Sequence, residues 1–419
     1  MKVMKIHGPS VLEGCVNIQG SKNAALPMMA ASVMNGGRTV LENCPDISDI
    51  RDSINILKSI GCTARYEKHT LTIDSSGRIS HYIPSELMGK LRSSFLFTGA
   101  VLSRCGAVKV SLPGGCNIGA RPVDIHLDAF KKLGVDVRED GFTVECRLDK
   151  IKPCDVRLRF PSVGATENIM LLCARSDGTT RIINAACEPE IVDLQRMLNS
   201  AGAEISGAGT PVVTIRGVKK LRDTTYKIMP DRIVTATYLT AAACCGGTVE
   251  LSGAVAKHLS SYIALLRQCG MGIYVSGDKI TAVRKGRLSG GVIARTKPYP
   301  GFATDTQSLV MAAMCFADGV GVIQENIFED RFRLAEILSQ MGADISISGR
   351  TASIRGVKHL GAVKAEACDL RSGAALAAAM LAAEGDSELG GIHYIDRGYE
   401  DFSENLISLG AQMERIEKN

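Results

Sequence analysis

DIRDSINILKSIGCTARYEKHTLTID, residues 49–74, reads as three pieces. DIRDSINILKS spaces its apolar residues at helical intervals and keeps its charges on one face, which predicts a helix lying at a surface. Gly61 stops it, at the position where helices end in left-handed backbone. TARYEKHTLTID alternates, turns and alternates again, the pattern of a hairpin. The same stop, Leu-x-x-x-Gly, recurs six times: LKSIG ending at Gly61, FKKLG at Gly134 (Phe for Leu), LNSAG at Gly202, LRQCG at Gly270, LSQMG at Gly342 and LISLG at Gly410. The spacings are 73, 68, 68, 72 and 68 residues. Five copies continue into a hairpin, as in DVREDGFTVEC and ADISISGRTASI, while the sixth meets the end of the chain.

Upstream of each stop lies an Ala/Leu/Met-rich helix, a glycine and a β-rich run: NAALPMMAASVMNGGRTVLEN, SSFLFTGAVLSRCGAVKVSL, ATENIMLLCARSDGTTRIIN, VTATYLTAAACCGGTVELSG, QSLVMAAMCFADGVGVIQEN and AALAAAMLAAEGDSELGGIH. Their glycines (Gly37, Gly106, Gly178, Gly247, Gly319 and Gly385) precede the later ones by 24, 28, 24, 23, 23 and 25 residues. The unit is therefore helix, strand, helix, strand, turn, strand, used six times. Its first helix is apolar on nearly all sides and should be buried; its second should face solvent. One core does not grow past roughly 250–300 residues, so two domains of three units each are expected, with a cleft between them and a boundary within residues 221–229.

Composition narrows the function. With 45% hydrophobic and 22% charged residues the chain is globular rather than disordered. A net charge of +5, spread from 49 basic and 44 acidic residues without a Lys/Arg block, argues against a nucleic-acid partner. The apolar stretches are too short to span a bilayer, and MKVMKIHGPS has no apolar core of a secretory leader. Fourteen scattered cysteines without a CxxC pair give neither a disulfide nor a zinc pattern. A reduced, cytoplasmic protein with no obligate protein partner is expected. No GxxxxGK[ST], no GxGxxG opening a βαβ unit and no His/Cys cluster is found, so no nucleotide cofactor and no metal are expected.

Helix N-termini attract anions, and the six apolar helices begin at GSKN (20–23), GKLRSS (89–94), PSVGAT (161–166), PDR (230–232), TDTQ (304–307) and DLRSG (369–373). Asp231 and Asp369 can be read as N-caps. Lys22, Arg92, Arg232 and Arg371 cannot, because a cation there is unfavourable unless an anion intervenes, and they point to an anionic ligand. The loop LPGGCNIGARPVD, longer than its counterparts, adds Arg121 and Asp124 and sets Cys116 in a polar, glycine-rich loop near cations, where a thiol is activated. Equivalent loops supply Arg331 and Arg397. This set suits phosphate and carboxylate recognition.

GSKNAALP (20–27), PGGCNIGARPVD (113–124), PYPGFATDTQ (298–307), ENIFEDRF (325–332) and IDRGYED (395–401) resemble the UDP-N-acetylglucosamine 1-carboxyvinyltransferases, over the whole chain. The resemblance implies an α/β fold, a two-domain inside-out barrel of six βαβαββ-type units. It puts residues 22–229 in one domain and 1–21 with 230–419 in the other, with the active site in the interdomain cleft. It implies the reaction that opens peptidoglycan synthesis: transfer of enolpyruvyl from phosphoenolpyruvate to the 3′-hydroxyl of UDP-N-acetylglucosamine, with release of phosphate and sensitivity to fosfomycin. In that reading Cys116 is the proton donor and Asp305 the base, which also binds the sugar. Lys22, Asn23, Arg121 and Arg397 hold phosphoenolpyruvate, supported by Arg331 and Arg371. Arg92, the run Arg121, Pro122, Val123, Asp124 and Ile125, and the run Ser162, Val163 and Gly164 face the UDP part, and Ile327 meets the sugar through its backbone. One departure is Phe160, where some members carry a lysine that touches uridine. The alternatives are 3-phosphoshikimate 1-carboxyvinyltransferase, which lacks the cysteine loop, and a non-catalytic UDP-sugar-binding homologue.

Overall fold

The six Leu-x-x-x-Gly signatures are six copies of one helix ending. In the computed structural model, which describes residues 2–112 and 123–418, the six glycines have φ between 85° and 101°. The N–H after each glycine turns back to the carbonyl five residues earlier: Cys62 to Leu57 (3.0 Å), Val135 to Phe130 (3.0 Å), Ala203 to Leu198 (3.0 Å), Met271 to Leu266 (3.1 Å), Ala343 to Leu338 (3.0 Å) and Ala411 to Leu406 (3.0 Å). That bond, with an apolar residue at each end of it, is the Schellman ending. Its effect is to send the chain sharply back as a strand.

The helices so ended are Ser48–Ser59, Asp124–Lys132, Pro189–Ser200, Ser260–Gln268, Arg333–Gln340 and Phe402–Ser408, each with a polar side. The apolar helices are Lys22–Ala31, Leu96–Cys105 and Val163–Cys173 in one half of the chain, and Arg232–Cys245, Gln307–Met314 and Leu370–Ala382 in the other. They are buried over nearly their whole length. Two separate hydrophobic cores form around them, one drawn from Ala24 to Ile228, the other from Met4 to Ile18 and Val234 to Met413. The chain divides accordingly into two units, cut after Gln19 and after Met229. Gly20 and Ser21 thus go with the first apolar helix, two residues from the division expected.

Five of the six sheets share one strand order: a parallel edge strand, the strand after the apolar helix, then the two hairpin strands. In the first, Arg38–Glu42 lies between Thr224–Lys227, parallel with Thr224 opposite Thr39, and Thr70–Asp74, antiparallel with Arg38 opposite Asp74. The last strand of the third repeat therefore closes onto the first. Asn43 and Asn184 end the central strands of their sheets in left-handed backbone (φ 55° and 62°). Their Nδ2 groups donate to the carbonyls just past the parallel strand, Ile228 at 2.9 Å and Leu158 at 3.0 Å.

The other unit is completed from the N-terminus. Leu12–Asn17 runs parallel to Gly247–Ser252. Lys2–Gly8 takes the place of the hairpin strand that the sixth copy lacks, with Lys2 opposite Glu417 on one side and Gly8 opposite Gly385 on the other. Among the described residues the sheet of the second repeat has three strands, with a bridge from Tyr82 to Lys109 where the parallel strand would run. Among the described residues no helix is long and apolar enough to cross a membrane.

The glycines differ in what surrounds them, which separates backbone strain from crowding. A Cβ at Gly342 would meet no heavy atom within 4 Å, whereas one at Gly61 would sit 2.5 Å from the Arg78 carbonyl oxygen. Gly342→Ala should cost about 1–2 kcal/mol from left-handed strain alone, and Gly61→Ala should cost distinctly more. Denaturant unfolding of the two variants checks the order; equal losses would contradict it.

Candidate functional site

The apolar helices start in three ways. Ser21 and Ser162 cap theirs by accepting from Ala24 N (3.4 Å) and Ala165 N (3.3 Å). Asp231 accepts from Ile233 N (2.8 Å) and Val234 N (3.1 Å), and Asp369 from Arg371 N (2.8 Å) and Ser372 N (3.1 Å), so both aspartates are caps. The second apolar helix of each half of the chain is instead led in by a 3₁₀ turn, Arg92–Phe95 and Thr304–Thr306, which carry Arg92 and Asp305.

In the unit that holds residues 20–229, Lys22 is the first helical residue and is buried. Its Nζ is 3.1 Å from Oδ2 of Asp49, itself buried in the first turn of the neighbouring surface helix. Both dipoles are served: the carboxylate lies at the positive end of its own helix and neutralises a cation at the positive end of another. Lys22 therefore has a counter-charge within the protein.

Arg92, Val123, Asp124 and Gly164 lie around one further residue, His126. The Asn168 side chain decides its state. Asn168 Oδ1 accepts from Gly99 N (3.0 Å), so its Nδ2 donates to Phe95 O (3.0 Å) and to His126 Nδ1 (2.9 Å). The imidazole proton is therefore on Nε2. Burial first, and then the Arg92 charge, push the His126 pKa down to about 3, so the ring is neutral. Gly164 allows it room, since a Cβ there would be 3.0 Å from His126 Cε1. Asp124 caps Ile125 N (2.7 Å) and is ion-paired with Arg159, which also reaches Asp128 at 3.1 Å. A cation thus stands immediately before Phe160, itself 40% exposed. Cys116, Arg121 and Pro122 lie outside the described residues.

In the other unit Asp305 is the centre. Its Oδ1 is 3.3 Å from Arg371 Nε and 3.9 Å from Arg331 Nη2, both arginines buried, while its own side chain stays 30% exposed. Burial opposes the charge on Arg371, but Asp305, Tyr399 and Asp231 outweigh it and raise its pKa above the ordinary arginine value. Here too the counter-charge is the protein's own. Tyr399 OH is 2.9 Å from Thr237 Oγ1 on the fourth apolar helix, two residues after Arg397. Gln19 grips the same loop, donating to Gly398 O (3.2 Å) and accepting from Glu400 N (2.8 Å). Arg232 lies over the Tyr299 ring at 5.8 Å. The Ile327 N–H donates to Glu325 (2.8 Å).

Sequence reasoning missed His126, Glu325, Tyr399 and Gln19. His126 lies one residue past the nominated run, and Glu325 opens the quoted ENIFEDRF, but nothing local marks a buried partner. The cysteines of the apolar helices behave as small hydrophobes: burial pushes Cys173 and Cys244 up to about 12 and Cys245 well above its ordinary range. Such thiols are not nucleophiles at neutral pH. Among the described residues no group of three His, Cys, Asp or Glu could hold a metal.

The sequence profile of the family described as EPSP synthase (3-phosphoshikimate 1-carboxyvinyltransferase) matches residues 6–406. UDP-N-acetylglucosamine 1-carboxyvinyltransferase 2 of Caldanaerobacter subterraneus is 43% identical over 418 residues, 99% of this chain and 100% of its own. The UDP-N-acetylglucosamine 1-carboxyvinyltransferase of Thermotoga maritima is 42% identical over 420 residues, all of both chains. The chain belongs to the EPSP synthase family, among its UDP-N-acetylglucosamine 1-carboxyvinyltransferases. The crystal structure of the enolpyruvyl transferase NikO from Streptomyces tendae superposes with a TM-score of 0.90 at 26% identity, covering 99% of this chain and 98% of that one. EPSP synthase from Acinetobacter baumannii shares the fold, with a TM-score of 0.78 at 18% identity over 100% of both chains.

For this carboxyvinyltransferase-family chain the neutral His126 has a consequence for acid stability. With a folded pKa near 3 against the ordinary 6.5, the unfolded chain binds a proton that the folded one refuses. Stability contributed at neutral pH is then lost as pH falls below 6.5 toward 3. His126→Asn, whose Oδ1 can still take the Asn168 N–H, should lose less melting temperature over that interval than the parent. Parallel pH profiles would show that His126 is not buried in its neutral form.

Proposed function

We propose that this chain transfers the enolpyruvyl group of phosphoenolpyruvate to the 3′-hydroxyl of UDP-N-acetylglucosamine and releases phosphate, the opening step of peptidoglycan synthesis. The observation that carries the reading is full-length identity of 42–43% to proteins of that name. The chemistry needs the hydroxyl oxygen to bond to C2 of phosphoenolpyruvate while a proton goes to C3. The tetrahedral adduct then loses a C3 proton and expels phosphate.

Asp305 is the base in this proposal. Two guanidinium groups flank one of its oxygens, which orients the carboxylate, and its partial exposure lets an acceptor reach it. Cys116 delivers the proton to C3. Lys22, Asn23 and Arg121 are assigned to the phosphate and carboxylate of phosphoenolpyruvate, as are Arg331, Arg371 and Arg397. Lys22 suits that work because Asp49 pins its ammonium at a helix start, where the dipole favours an anion. Arg92, Val123, Asp124, Ile125, Ser162, Val163 and Gly164 are assigned to the UDP part, with Pro122, and the Ile327 carbonyl to the sugar. Neutralising the developing charge and moving two protons is the whole task, so no metal or organic cofactor is called on. The thirteen described cysteines are all free thiols, which supports a reducing cytoplasmic setting.

Phosphate release from phosphoenolpyruvate tests the reading, with UDP-N-acetylglucosamine and shikimate 3-phosphate supplied separately. Release with the UDP-sugar alone is expected. Release with the shikimate compound alone would make the chain an EPSP synthase in activity as well as family. Asp305→Ala should lower kcat by roughly 10²–10⁴-fold while UDP-sugar binding persists, and unchanged kcat would remove it from the base role.

A further inference from the structure

Glu325 is 1% exposed and lies outside every role assigned above. Its Oε1 accepts from Thr296 Oγ1 (2.9 Å), Ile327 N (2.8 Å) and Phe328 N (3.1 Å), and its Oε2 from Thr304 Oγ1 (2.9 Å). A carboxylate without an arginine or lysine among these contacts is stable at such depth only because four donors converge on it. The donors come from three separate segments. Thr296 follows the edge strand Ile293–Arg295, and its hydroxyl and carbonyl also take Asn326 N (2.7 Å) and Nδ2 (3.2 Å). Thr304 opens the 3₁₀ turn that carries Asp305. Ile327 and Phe328 belong to the loop that leads to Arg331, and Phe328 lies under the Arg331 guanidinium at 5.2 Å.

We infer that Glu325 is a positioning residue that sets the Asp305 turn and the Ile327 backbone at a fixed separation, so that base and sugar-binding carbonyl are held as one piece. One oxygen serves each side: Oε2 the turn, Oε1 the loop. This rests on the proposed reaction for its kinetic consequence, but the coupling itself is a property of the folded chain. Glutamine fits the same place, because its carbonyl keeps the three Oε1 bonds and its amide can donate to Thr304. Alanine removes the acceptor shared by two part-buried N–H groups and two hydroxyls.

Glu325→Gln, Glu325→Ala and Thr304→Val are compared with the parent by steady-state kinetics and by amide hydrogen exchange of peptides spanning 296–307 and 325–332. Thr304→Val breaks only the arm to Asp305, so kcat should fall roughly 10- to 100-fold with the KM for UDP-N-acetylglucosamine within about twofold. Glu325→Ala should lower kcat and raise that KM together, and expose both peptides to exchange; Glu325→Gln should restore both. If Thr304→Val, folded, keeps the parent kcat, or if the Glu325→Ala peptides exchange as slowly as the parent's, the inference is overturned. Should the parent itself release no phosphate, the reaction fails, and the exchange of the Glu325→Ala peptides still decides the coupling. Should Glu325→Ala fail to fold, Thr304→Val carries the decision.

Discussion

A helix without a polar face must be surrounded on every side, and the rest of this molecule follows from doing that six times. Three such helices pack together in each unit, and no water is left to satisfy what they carry. The outer layer therefore needs elements with one wet and one dry face. The six surface helices and the four-stranded or three-stranded sheets supply them. Even the place of Lys2–Gly8 between Gly385–Gly390 and Gln412–Glu417 follows, since the last central strand would otherwise lack the antiparallel partner its counterparts have.

The same constraint makes any charge at the start of an apolar helix expensive. Lys22 and Arg371 are tolerated because Asp49 and Asp305 neutralise them at 3.1 and 3.3 Å. Buried ion pairs of this kind add little net stability, because desolvation offsets much of their attraction. What they give is position. The ammonium of Lys22 and the carboxylate of Asp305 are each held by an ion pair at the start of a helix that is buried in a core. The proposed reaction would use groups whose placement the fold already requires.

Much of this was legible in the chain. Leu-x-x-x-Gly is readable because a Schellman ending needs a residue free to adopt positive φ and an apolar residue on either side, and both are local demands. The apolar helices are readable because burial on all sides removes every polar position. The cations were readable as anomalies at helix starts, but not what resolves them. Asp49 looks like an ordinary dipole partner for its own helix, and only the packing of two helices brings it to Lys22. His126, Glu325 and Tyr399 were illegible for the same reason, since each is explained by donors or acceptors from segments far along the chain. The closing role of the N-terminal strand came from family likeness, because a pairing between the two ends of a chain leaves no periodic trace.

The proposed reaction depends most directly on Asp305 as the carboxylate that would meet the acceptor. A crystal structure of the protein with UDP-N-acetylglucosamine bound measures this as one distance. The sugar 3′-hydroxyl should lie about 2.6–3.2 Å from an Asp305 carboxylate oxygen, with Arg371 still on that carboxylate. A 3′-hydroxyl held by some other acceptor, with Asp305 out of hydrogen-bond reach, would contradict it.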